Sequence, residues 1–132
     1  MHCSLMTDWI TIRGQGGGGA TTFQIPQSPD AWVDACIQQD LVFWVDVRAF
    51  TLGGGTLSLN FETAPTRDES AFSPIVSVSI TSATVSIAKV LKDSASLPVA
   101  RWVRWRLASV NSTSVWDATF RVFLAANSPG AN

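Results

Sequence analysis

The chain has 132 residues, which is enough for one domain with its own core and too few for two. Hydrophobic residues make up 46% and charged residues 14%, a balance that excludes a disordered polyelectrolyte. A formal charge of −1 excludes partners held by bulk electrostatics, so neither nucleic acid nor a membrane surface is expected as a partner.

Six Trp and seven Phe without a Tyr, set among many Ser and Thr, favour half-buried pleated strands over helices. The N-terminus has no basic segment followed by a long apolar run, so a chain without a secretory signal, kept in the cytosol until assembly, is expected. His2 beside Cys3 is the single histidine and cannot build a metal site alone. Cys3 and Cys36 are too few for a disulfide scaffold, and their pairing stays open.

In residues 7–13, Trp9, Thr11 and Arg13 alternate with Ile10 and Ile12, which predicts a strand. It runs into Gly14-Gln15-Gly16-Gly17-Gly18-Gly19. A phosphate-cradling loop needs Lys-Ser/Thr after its last glycine, and here Ala20-Thr21-Thr22-Phe23 follows. Residues 1–19 therefore read as an N-terminal arm with a Gly-rich hinge, on which Trp9 and Arg13 are candidate partner contacts. A short strand over 21–25 is ended by Pro26 and Pro29, with a turn at 28–30, and 31–38 read as a further strand.

Residues 41–50 (LVFWVDVRAF) put Leu41, Phe43, Val45, Val47 and Ala49 on a core face, with Val42, Trp44, Asp46, Arg48 and Phe50 opposite. A glycine turn at 53–55 leads into 56–63, where Leu57, Leu59 and Phe61 point inward, so a hairpin is predicted. Residues 64–70 form a charged loop. A second hairpin is predicted over 75–91, with Val76, Val78 and Ile80 on one face of its first strand and Val85, Ile87 and Leu91 on one face of its second. In the run 98–107 (PVARWVRWRL), Val99, Val103, Trp105 and Leu107 share one side and Trp102, Arg104 and Arg106 the other. Residues 116–126 close the domain with Trp116, Ala118, Phe120, Val122 and Leu124 inward. The expected fold is an all-β single antiparallel β-sandwich over residues 20–127, jelly-roll-like, with the N-terminal arm before it and a tail at 128–132.

Acid–base or nucleophilic catalysis needs a nucleophile with a base beside it, or paired carboxylates in a pocket. Neither pattern is present, so no catalytic, cofactor or metal residues are assigned and an enzyme is not expected. Asp46 is expected to pair with Arg104 or Arg106 across strands. Trp102, Arg104 and Arg106 on one strand face are the main candidates for contact with a partner, because Trp and Arg anchor interfaces.

The segments DLVFWVDV at 40–47, Gly53-Gly54-Gly55-Thr56-Leu57, TAPTRDE at 63–69 and PVARWVRW at 98–105 resemble small structural proteins of tailed bacteriophage virions, over residues 32–126. The resemblance implies a capsid decoration or head accessory β-sandwich in the virion. It implies a major capsid protein or other virion protein as partner, a homo-oligomer such as a trimer, and an arm at 1–19 reaching a neighbour. A second likeness joins Ala100-Arg101-Trp102-Val103-Arg104 to the Ala-Arg-Tyr-hydrophobic-Arg strand of discoidin-like sandwiches, which implies a carbohydrate-binding module instead.

Overall fold

The computed structural model describes residues 2–14, 21–35, 40–52, 54–90 and 99–127. Residues 15–19 of the hinge, Cys36, Gly53 of the glycine turn, Leu91 of the second hairpin and the tail at 128–132 lie outside the described residues. Alternation of apolar and polar side chains yields β1 (His2–Gly14), β2 (Thr21–Pro26), β3 (Val33–Asp34), β4 (Asp40–Thr51), β5 (Thr56–Ala64), β6 (Ser73–Ser79), β7 (Val85–Val90), β8 (Trp102–Ser112) and β9 (Trp116–Asn127). Sheet A has the order β1-β9-β4-β7 and sheet B the order β2-β8-β5-β6, with β3 also paired to β8. All pairings are antiparallel. β2 and β3 line the same edge of β8 and act as one interrupted strand, so the two packed sheets have the eight-strand layout of a jelly roll.

Both expected hairpins are corrected by this layout. β4 lies in sheet A and β5 in sheet B, while β6 lies in sheet B and β7 in sheet A. β4 has β9 and β7 on its two edges and β5 has β8 and β6, so neither has an edge left for the other. The glycine turn instead arches between sheets: Gly54 and Gly55 take φ of +75° and +66°, and a Cβ on Gly55 would collide with the Val110 carbonyl. The inward face of β7 is corrected as well. Pairing of Leu41 with Val90 and Phe43 with Ala88 buries Val90 and Ala88, which turns Val85 and Ile87 outward.

The expected arm is also revised. His2–Gly14 is an edge strand of sheet A, in register with β9 from His2 opposite Ala126 to Gly14 opposite Trp116, with Ile10 and Ile12 packed on the core. Gly14 is required there, because a Cβ would run into the Trp116 indole. Cys3 is free and exposed.

Between the sheets, Phe43 stacks on Phe61 with centroids 3.9 Å apart, and Trp105 meets Phe120 edge-on at 5.3 Å. Each ring pair joins one sheet to the other, and burial of each such side chain is worth about 1.5–3 kcal/mol. The interruption between β2 and β3 is held by Gln27, which is buried. Its backbone N–H donates to the Trp105 carbonyl (2.9 Å), and Trp105 N–H donates to its Oε1 (3.2 Å). Its Nε2 donates to the carbonyls of Met6 (3.3 Å) and Ala31 (3.0 Å), tying β1 of sheet A to the edge of sheet B. The Trp105 indole adds a 2.6 Å bond to Thr7 Oγ1.

Candidate functional site

The outer face of each sheet is a potential contact surface, and the two are finished differently. On sheet B, Trp102, Arg104 and Arg106 point away from the core as the alternation requires. Glu62 stands directly opposite Arg104 on β5, and its carboxylate accepts from Arg104 Nε and Arg106 Nε, each at 3.0 Å. The expected pairing of Asp46 with these arginines is thus corrected: Asp46 is on sheet A, where it accepts from Arg121 Nε at 3.0 Å.

Two short 3-10 turns, Pro29–Ala31 and Glu69–Ala71, arch over this part of β8 and bring Trp32 and Phe72 onto the Arg104 guanidinium, at 5.4 and 4.1 Å from their ring centroids. Arg104 is left 4% exposed, so this candidate is a packed residue in the isolated chain. Its Nη1 lies 3.5 Å from Glu69 Oε1 without the alignment of a hydrogen bond. Arg67 continues the stack. It lies 5.7 Å from the Trp32 ring and 4.9 Å from Trp102, and Arg101, the residue before Trp102, lies 5.2 Å from the Trp102 ring. Arg67 Nη2 also donates to the Pro29 carbonyl at 2.7 Å, locking the two arches together. Trp102 and Arg106 remain half-buried at the margin of this cluster.

On sheet A the outer face carries a transverse apolar row. Leu5 stands opposite Phe123, Phe123 opposite Trp44, and Trp44 opposite Ile87, so the row crosses β1, β9, β4 and β7 in turn. Leu5 is 47% exposed, Phe123 37% and Ile87 52%. A shallow depression of about 320 Å³ is lined by Cys3, Leu5, Trp44, Phe123 and Ala125 among others. Beside the row, the Arg121 guanidinium lies 4.8 Å from the Phe123 ring and 4.6 Å from that of Trp9, and Arg48 lies 4.8 Å from Trp9. Trp9 therefore belongs to this face, whereas Arg13, at the end of β1, is exposed and has no ion pair among the described residues. The five candidates fall into three places: Trp102, Arg104 and Arg106 on sheet B, Trp9 on sheet A, and Arg13 at the edge.

Sequence reasoning missed the apolar row, although Val42 and Trp44 opposite the core face of β4 were its signal; Phe50, on the same face by alternation, packs on the core after the register shift between Val47 and Ala49. A soluble sheet with one solvated face alternates apolar with polar, and over residues 41–45 β4 is apolar on both sides. Contiguous exposed apolar surface of this kind marks an interaction site. Among the described residues, no group of three or more His, Cys, Asp or Glu side chains is placed to hold a metal ion.

No protein-family model matches the chain, and no curated protein does. Among solved structures it is similar to the VP2 subviral particle protein of infectious bursal disease virus, with a TM-score of 0.49 and 11% identity over 98% of this chain and 33% of that one. It is similar to the empty capsid of Triatoma virus, with a TM-score of 0.47 and 16% identity over 96% of this chain and 87% of that one. It is also similar to the carbohydrate-binding module CBM36 in complex with calcium and xylotriose, with a TM-score of 0.43 and 12% identity over 96% of this chain and 100% of that one. The chain spans about a third of the length of VP2. At such identities and TM-scores these likenesses carry no functional inference.

Proposed function

We propose that the chain is a non-enzymatic structural protein of a virion that docks on other virion proteins through the outer face of sheet A. The observation that carries this reading is the row Leu5, Phe123, Trp44 and Ile87, which crosses all four strands of one sheet and leaves Leu5, Phe123 and Ile87 exposed with Trp44 half-buried among them. The resemblance to small tailed-bacteriophage proteins supplies the kind of particle, with a capsid protein as partner and a homo-oligomeric decoration role. Trp9 is the candidate contact that lies on this face, with Arg48 and Arg121 beside its ring.

The carbohydrate-binding alternative needs an open aromatic platform. On sheet B the Trp102 ring already lies near two guanidinium groups, and Trp32 is buried beneath Phe72, Arg67 and Arg104. A sugar stacking on those rings would have to compete with the guanidinium groups already beside them.

The test is sedimentation of the purified chain with phage shells assembled without it, beside a glycan array. Saturable binding to shells, lost by at least about thirtyfold in a Phe123→Glu, Ile87→Glu variant whose circular dichroism is unchanged, is the expected result. Equal binding by the variant removes sheet A from the contact, and glycan binding without shell binding overturns the reading as a whole.

A further inference from the structure

A second cavity lies at the open edge of the sandwich, between the end of β1 and the start of β2, and has no role in the assembly reading. Its volume is about 510 Å³, and it is lined by Arg13, Gly14, Phe23, Ile25, Val115 and Trp116. That volume falls within the roughly 300–1,000 Å³ of small-molecule sites. Phe23 and Val115, 41% and 59% exposed, give its mouth two large apolar side chains that the core does not use.

Among the described residues, two polar groups on this cavity have no hydrogen-bond or ion-pair partner. Trp116 is buried, and its indole N–H has no acceptor. The ring edge bearing that nitrogen lies against Gly14, which shares the cavity wall. A buried donor left unmet is costly, and most such groups in folded proteins find an acceptor. Arg13 is exposed and has no ion pair, although Asp117 stands opposite it in the β1–β9 register. The cavity therefore combines apolar walls, a free guanidinium and an unmet N–H donor.

We infer that this cavity binds a small apolar monocarboxylate, its hydrocarbon part on Phe23, Ile25 and Val115 and its carboxylate taken by Arg13 with the Trp116 indole N–H as a second donor. An anion is favoured over a cation because both polar groups are donors and one is positively charged. A neutral alcohol of the same length fills the apolar wall but forfeits the guanidinium. A dianion places a second charge on the apolar wall, where it lacks a partner.

The test is a titration of the ¹⁵N-labelled full chain with sodium octanoate below its micelle concentration, followed at the Trp116 indole N–H resonance, which is identified by its loss in Trp116→Phe. Octanoate is expected to move that resonance saturably while the other five indoles stay in place. Arg13→Gln is expected to weaken octanoate about threefold to fivefold and leave 1-octanol unaffected. Val115→Glu is expected to weaken both by at least about tenfold, since it removes an apolar wall and adds a like charge. Arg13 and Val115 are exposed, so these two variants carry the test even where Trp116→Phe fails to fold. An unmoved Trp116 resonance, a uniform drift of all indoles, or affinities indifferent to both variants would overturn the inference.

Discussion

The outer faces of the two sheets start from the same alternating strands and end in opposite states. On sheet B, two arches fold back over β8, and the charges there meet one another: Glu62 holds Arg104 and Arg106 while Trp32, Trp102 and Phe72 pack against guanidinium groups. On sheet A no arch among the described residues returns over the row, which leaves Leu5, Phe123 and Ile87 exposed and Trp44 half-buried. The contrast teaches that a charged strand face can be a settled interior and an apolar one the surface left for others. Arginine-rich β8 looks like the contact element in the sequence, yet its central arginine is already spent on the fold.

That contrast is open to direct disruption. The largest effect belongs to Glu62→Ala, which leaves Arg104 buried beside Arg106 without their shared carboxylate; a loss of about 3–5 kcal/mol is expected, read as a lowered midpoint in urea unfolding. A smaller loss, about 1–3 kcal/mol, is expected for Gln27→Ala, because Trp105 N–H and the bond to Met6 both lose their side-chain partner. It should be accompanied by faster amide exchange at Trp105, which distinguishes release of this bridge from general loosening. At the other end, Ile87→Ser on sheet A is expected to change stability by no more than about 0.5 kcal/mol in thermal unfolding, since its side chain is already half in water. A loss on sheet A as large as that from Glu62→Ala would erase the distinction between the two faces.

Much of the fold is legible in the sequence because period-two alternation is a local signal. The inward sets of β4, β5 and β9, among them Leu41, Phe43, Leu57, Phe61, Phe120 and Val122, are buried as the alternation requires. Ala49 escapes this pattern and is exposed, because a register shift between Val47 and Ala49 turns the end of β4. Which strands pair is not local. The glycine turn at 53–55 fits a hairpin as readily as an arch, and only the occupied edges of β4 and β5 decide for the arch. For β7, with Val85 and Ile87 facing one way and Ala88 and Val90 the other, hydrophobicity alone points to the wrong face, and its register with β4 overrides it. Burial of Arg104 is invisible for the same reason, since the arches that cover it come from residues far off in sequence. The cross-strand charge match of Glu62 with Arg104 was the available clue.

The pairing of β1 with β9 places His2 beside Ala126 and so sets a condition on biogenesis. While the sandwich is being synthesised, β1 must wait for β9 before it can take its seat, and sheet A stays without its central ladder until β9 has emerged. Long-range closure of this type slows folding and leaves greasy edges unshielded in the nascent polypeptide. It also brings the start of β1 beside the end of β9, so a permutant that joins them by a short linker and opens the connection between β5 and β6 should let β1 seat on β9 as soon as both are made, leaving β4 alone to complete the sheet.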